Sequence, residues 1–532
     1  MRLLSGLLAL PALVGLTLAL VLTASGLSTA PAVERASIAS SGAQTLGSSQ
    51  SAALSADGRY VAFSSDASSL VPGDTNGVRD VFVHDRVSGV TERVSVSSTA
   101  QQAGGASAGL LAGGPRISGD GRYVAFSSEA SNLVPGDGNG TADIFVRDRV
   151  AGTTERVSVG AGGGDAHGES VTPSIGVDGR YVTFTSLAGD LVPGDDNNDR
   201  DVFVRDRVGG TTELISVGLD GTPGDRASGG LGAGPARITP DGRHVVFGSF
   251  ATDLVTGDAN NFDDVFVRDR VAGTTERVSV ATDGAEGNGH SVYGTISDDG
   301  RFVAFSSPAD TLTLPDLNGA SDVFLRDRDA GTTVRLSDAA GAQASGGSSF
   351  AAISGDGSAV VYHSDASNLI TGDTNMTTDV FLQDVASGAI ERISEPLAGE
   401  TNGASLFAEV SADGEAVAFE SAASNLVAGD GNSNSDVFAW GKPLRVSPPQ
   451  PLATRTPTPD PCSPVAPMLG DVDRDGVVNS IDAALILQLA AGLLTGLPCP
   501  AAADVNGDGR IDAIDAALVL QYVAGLLDEL PP

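Results

Sequence analysis

The sequence predicts a mainly β fold: a seven-bladed β-propeller followed by a small all-α C-terminal module. Three observations carry this. An Asp-Gly turn between strand-like segments recurs seven times, at Asp57, Asp120, Asp178, Asp241, Asp299, Asp356 and Asp413, with spacings of 57–63 residues. Each copy reads as four short strands. Beyond residue 447 the repeat stops, and a Pro/Thr-rich stretch leads to two Asp-rich loops that each run into an apolar segment of helical character. A fixed period of this size means one supersecondary unit stacked on copies of itself, because a single unit cannot bury both its faces.

The chain's 532 residues call for more than one domain, and a net charge of −36 argues against nucleic acid or an anionic membrane as partner. Residues 1–32 read as a secretory signal: Arg2, an apolar run from Leu3 to about Ala24, then small residues ending Ala30-Pro31-Ala32. The expectation is an exported, extracellular or cell-surface protein with no membrane association after signal cleavage. ERASI at Glu34–Ile38 copies the fourth-strand motif ahead of the first blade, and LRVS at Leu444–Ser447 offers the same motif at the end. Either could close the ring, and the sequence does not choose between them.

Within the propeller, residues 33–447, the copy from Ile117 to Val159 is the most legible. A brief apolar first strand (GPRIS, Gly114–Ser118) meets an Asp-Gly turn, a strong hairpin signal. The second strand is RYVAFSS (Arg122–Ser128), the third DIFVRD (Asp143–Asp148) and the fourth ERVSV (Glu155–Val159). The third strand is apolar at consecutive positions, which predicts cover on both faces. Four antiparallel strands buried on both faces and repeated seven times describe a propeller blade. Thirteen of the 18 phenylalanines fall at equivalent strand positions, such as Phe63 and Phe82 or Phe126 and Phe145, and are assigned to the core. The motif, a strand, then S-x-D-G-R/K, then an apolar strand, resembles TolB-type propeller repeats. That resemblance implies the fold and leaves the function open.

The loop between the second and third strands carries D-x-N-x-x-x-D in every copy, from Asp74/Asn76/Asp80 to Asp430/Asn432/Asp436. Such oxygens suit calcium, but Asp and Asn also cap their own backbone in turns. The turn is the reading adopted, with additional ions on these loops as the alternative. These loops share a face with the Gly/Ser-rich linkers between blades, where an extracellular protein or glycan ligand is expected.

Catalytic signals are sparse. GASAG around Ser107 matches a nucleophile-elbow pattern but lacks the strand before it and the helix after it. His167 with Glu169, or His290 with Glu286, are the candidate metal pairs of the alternative function, an extracellular polysaccharide-acting, lyase-like propeller enzyme. No catalytic residue is assigned.

Residues 448–461 read as an extended spacer, and residues 462–532 as a calcium module. Asp471–Asp482 and Asp504–Asp515 are twelve-residue loops. Oxygen side chains stand at positions 1, 3, 5, 9 and 12: Asp471, Asp473, Asp475, Asn479 and Asp482, then Asp504, Asn506, Asp508, Asp512 and Asp515. Gly476 and Gly509 allow the sharp bend at position 6, and Val477 and Arg510 contribute carbonyls at position 7. Two calcium ions are expected. Cys462 and Cys499 precede one loop each, and in an exported chain a disulfide is the default, worth about 4 kcal/mol on the chain-entropy model.

Loop plus exiting helix, duplicated, with Asp at position 12 and no entering helix, closely resembles a type I dockerin. That resemblance implies docking on a cohesin-like domain of a scaffold or surface protein. The contact positions it implies are Ser480, Ile481, Leu487, Gln488, Ala513, Ile514, Leu520 and Gln521. The basic residues that many dockerins carry along these helices are missing here. The function expected is therefore a secreted, non-catalytic binding or scaffold protein displayed through its dockerin-like module.

Overall fold

The computed structural model describes residues 32–441 apart from 110–112, 231, 340, 341 and 397, together with residues 486, 503, 505, 511 and 515–519. The chain divides into two compact units, Met1–Arg445 and Val446–Pro532. In the first unit, seven four-stranded antiparallel sheets form the blades, with one additional hairpin pairing Asp338–Ala339 with Ala342–Gln343.

Blade 1 shows how the sequence makes the unit. Its strands are Ser49–Leu54, Tyr60–Ser65, Asp80–Asp85 and Val90–Arg93, paired in that order. The Asp-Gly turn between the first two is held by its own side chains. Ser55 Oγ donates to Asp57 Oδ1 at 2.6 Å, and the Arg59 amide donates to the same oxygen at 3.0 Å. The equivalent turn in blade 2 shows why glycine follows the aspartate. Gly121 has φ of +73°, and a Cβ there would stand 2.1 Å from the Tyr60 ring of the preceding blade. The third strand, DVFVHD, is buried at every position, as its unbroken apolar run predicts.

The paired phenylalanines are the core. Phe63 and Phe82 stack at 5.8 Å between centroids, and five further Phe–Phe pairs plus Tyr362–Phe381 repeat the arrangement at 5.6–6.1 Å. Each pair packs on the aliphatic face of a neighbouring blade. Phe126 and Phe145 lie with Val81 and Val83 of blade 1, while Phe63 and Phe82 lie with Val437 and Ala439 of blade 7. Outside this core, an arginine at the end of the third strand latches the blade to its predecessor. Arg149 binds Glu92 at 2.7 Å through Nε and lies 4.4 Å from the Tyr60 ring centroid.

The ring closes with the N-terminal strand. Ala32–Arg35 pairs antiparallel with Asp436–Gly441 and becomes the outer strand of blade 7. Arg35 stands opposite Phe438, where five of the other six blades place an arginine of the fourth strand. It reaches Asp430 at 3.1 Å and Asp436 at 3.4 Å, and Ser37 Oγ donates to Asp436 at 2.7 Å. The competing segment, Leu444–Ser447, lies outside the described residues, as do residues 1–31 and the spacer 448–461.

Arg35→Ala should leave two buried carboxylates without their cation, at a cost of about 3–5 kcal/mol. Glu34→Ala, which breaks a half-exposed contact with Arg86, should cost less than about 1 kcal/mol. Denaturant midpoints of the two variants against the parent check this.

Candidate functional site

Three regions carry chemistry: the loop face of the propeller, its axial channel and the C-terminal calcium loops.

On the loop face, six of the seven D-x-N-x-x-x-D segments bond their asparagine to the closing aspartate. In blade 1, Asn76 Nδ2 donates to Asp80 Oδ2 at 2.8 Å, while the Val78 amide donates to Asn76 Oδ1 at 3.3 Å. Ser95 Oγ of the fourth strand donates to Asp80 Oδ1 at 2.5 Å. Arg93 of the same strand stands between the carboxylates, 2.9 Å from Asp74 and 3.3 Å from Asp80. A guanidinium thus occupies the place between the two acids, and Asp80 is fully buried behind it. This geometry supports the turn reading of these loops. Among the described residues, no group of three His, Cys, Asp or Glu side chains could hold a metal ion.

Blade 3 departs from this plan. Leu214 stands opposite Phe203, where five other blades and the closing strand place arginine. The linker residue that meets the arginine in blades 2 and 4, Asp165 or Glu286, is Pro223 here. Asp201 keeps Ser216 at 2.6 Å and Asn197 at 2.8 Å, but without a cation burial pushes its carboxyl up to about 6. Asp195, also buried, is raised by burial and then by neighbouring Asp196.

The histidine pairs expected from the sequence do not assemble. His167 is exposed and meets Asp190 at 3.0 Å, while Glu169 binds Arg200 at 2.7 Å. His290 sits edge-on between Phe250 and Phe262 and meets Asp263 at 3.2 Å. Glu286 is committed to Arg277. Ser107 is a strand-bridging residue, its Oγ 2.9 Å from Ser128 Oγ and fully buried.

The axial channel was not foreseen. Pairing places Arg116 opposite Ala125, Arg237 opposite Val246 and Glu409 opposite Ala418, one register position on the innermost strands of blades 2, 4 and 7. Arg116 contacts Glu409 at 3.1 Å, and Arg237 contacts the same Oε1. Burial and the neighbouring Arg237 push Arg116 down to about 10, while the two guanidinium groups hold Glu409 below the usual carboxylate range against its burial. In the tier above stand Tyr293, Phe350 and Phe407 of blades 5, 6 and 7, with Tyr293–Phe350 centroids 3.8 Å apart. The signal was available as departures from the repeat: blade 1 has Ser51 and Ala53 at these two positions.

In the second unit, Asp515 is the described calcium-loop residue. It is fully buried, lies in the helical segment 515–519, and its Oδ1 accepts the Val505 amide at 2.9 Å. Position 12 of the loop is thereby tied to position 2, with Val505, Ala516 and Val519 buried around it. The other expected ligand residues from Asp471 to Asp512, Cys462 and Cys499, and the expected contact residues from Ser480 to Gln521 lie outside the described residues.

Residues 469–524 match the Dockerin type I domain. Modules of this family generally bind calcium, and the match implies a cohesin partner. No curated protein matches the chain. Among solved structures, the propeller has TolB-like neighbours. A TolB from Acinetobacter baumannii is 17% identical with a TM-score of 0.34; the match covers 59% of this chain and 58% of that protein. The β-propeller domain of the Trilobed protease from Pyrococcus furiosus is 11% identical, with a TM-score of 0.46 over 76% of this chain and 100% of that domain. An oligogalacturonate lyase from Vibrio parahaemolyticus is 12% identical, with a TM-score of 0.46 over 77% of this chain and 93% of its own.

The arginine-free loop of blade 3 yields a pH prediction. The folded state holds the Asp201 proton to about pH 6, whereas the unfolded chain releases it near 4. This group's contribution to stability is therefore full below about pH 4 and is lost as the pH rises through about 6. Leu214→Arg should flatten that loss. Plotted as variant minus parent, Tm should rise between about pH 4 and pH 7.

Proposed function

We propose that this is a secreted, non-catalytic binding or scaffold protein whose propeller is displayed through calcium-dependent docking of residues 462–532 on a cohesin-type domain. The observation that carries the reading is the dockerin match over 469–524, laid over two calcium loops in register. Two calcium ions would order the module, with Asp471, Asp473, Asp475, Asn479 and Asp482 on one and Asp504, Asn506, Asp508, Asp512 and Asp515 on the other. The carbonyls of Val477 and Arg510 complete the two sets. A Cys462–Cys499 disulfide would staple this small module, which has little core of its own. Docking would run through Ser480, Ile481, Leu487, Gln488 and their counterparts Ala513, Ile514, Leu520 and Gln521. The signal-like residues 1–32 and the strongly acidic composition support an extracellular or cell-surface location. The propeller would present an extracellular protein or glycan ligand with its linker face. The polymer-cleaving alternative gains no support from His167 and His290, each of which is engaged with a separate aspartate.

A pull-down from the host's secreted and cell-surface fraction tests docking. The mature protein in calcium should retain a partner that is lost in EDTA and on deletion of residues 462–532. Absence of any calcium-dependent partner would refute docking and leave the module as a stapled terminus. Chelation should also abolish the helical circular dichroism of the C-terminal module in the full chain while the propeller's thermal transition stays in place. An unchanged helical signal in EDTA would refute calcium-dependent ordering.

A further inference from the structure

The innermost strand of five blades is bulged, with left-handed backbone at Ser51, Thr172, Tyr293, Phe350 and Phe407 (φ between +51° and +58°). A bulge re-aims a side chain. Here the re-aimed positions form one tier around the axis, and the tier is lopsided. Blades 5 to 7 contribute three aromatic rings, whereas blades 1 to 4 contribute Ser51, Gly114, Thr172 and Pro235. The small side leaves a cavity of about 310 Å³. That volume is at the lower end of what small-molecule sites use.

The next tier lies two residues along the same strands. It supplies Arg116, Arg237 and Glu409, all lining the cavity. Two guanidinium groups share one carboxylate oxygen there. Burying an unmatched cation is costly unless a counter-charge joins it. Glu420 also lines the cavity, but its carboxyl accepts the Ser51 amide at 3.1 Å, and burial pushes it up to about 7. At neutral pH it supplies only part of a charge. Phe407 remains 38% exposed at the other tier and lines the cavity. Donor-rich cations below and aromatic rings above select a molecule with a carboxylate at one end and a flat body at the other.

We propose that the axial cavity binds a small planar carboxylate, its oxygens held by Arg116 and Arg237 and its flat body against Tyr293, Phe350 and Phe407. This site is independent of docking, since it uses no residue beyond the propeller.

Benzoate tests it by titration calorimetry on the full-length protein, with benzamide and inorganic phosphate as companions. Benzoate should saturate one site per chain. Benzamide, of the same shape but uncharged, should bind at least about tenfold more weakly, the worth of one charge-assisted hydrogen bond. Arg237→Gln and Phe407→Ala should each weaken benzoate by at least a similar factor, while Asp195→Asn on the loop of blade 3 should leave it unchanged. Equal binding of benzamide and benzoate would overturn the role of the arginines. Saturation by phosphate with none by benzoate would overturn the planar carboxylate. No saturation by either anion at millimolar concentration would overturn the site. Should a variant fail to fold, the benzoate–benzamide comparison on the unaltered protein still decides.

Discussion

The propeller depends on one buried carboxylate per blade. Asp80 and its six counterparts begin the third strand with essentially no exposure. Each must accept several hydrogen bonds to be tolerated there, and those bonds come from the loop before it and the strand after it. The asparagine four residues earlier fixes the loop, and the serine two residues past the outer arginine fixes the fourth strand. The arginine supplies the opposite charge. One acidic group thus sets loop, outer strand and the start of the next linker. In blade 7 these partners, Arg35 and Ser37, come from the opposite end of the chain. Closure of the ring is therefore specified chemically as well as by strand pairing.

Why this arrangement favours arginine over a metal follows from the donors. A calcium ion needs six to eight oxygens, whereas Asp74 and Asp80 offer few that are not already accepting from Asn76 and Ser95. A planar cation tethered to the fourth strand satisfies two carboxylates and fixes a backbone at once. Blade 3 shows the alternative solution. When Leu214 replaces the arginine, the linker acid is replaced as well, by Pro223, so an apolar pair substitutes for an ion pair. Such swaps can be neutral for stability when both partners change together. The cost falls on the aspartates that stay, which is where the raised carboxyl of Asp201 arises.

Much of this was legible because it repeats. Strand order, the Asp-Gly turns, the phenylalanine core and the turn chemistry of D-x-N were readable from seven superimposed copies, and the dockerin module from two Asp-rich loops in register. Three things were not. The choice between Glu34–Ile38 and Leu444–Ser447 for closure is a matter of which end reaches Asp436, and local sequence carries no distance. The pairings of His167 with Asp190 and His290 with Asp263 link residues 23 and 27 positions apart across loops, where nearest-neighbour reading favoured Glu169 and Glu286. The axial charges were hidden for the opposite reason. Arg116, Arg237 and Glu409 are exceptions to the repeat, and a repeat is read by what its copies share.

That last point bears on where individuality resides in a chain of this kind. A scaffold that copies one unit seven times spends most of its sequence on agreement, and its strand faces are dictated by packing against neighbours. Positions that face a blade's neighbour cannot vary without disturbing the core. Those that face the axis can, because seven innermost strands converge there and each contributes one side chain per tier. Ser51, Gly114, Thr172, Pro235, Tyr293, Phe350 and Phe407 are seven answers to one structural question, and Arg116, Arg237 and Glu409 are the charged answers to the next. Fold and assembly are legible in what recurs. Specificity is to be sought in the two axial tiers, where the repeat breaks its own rule.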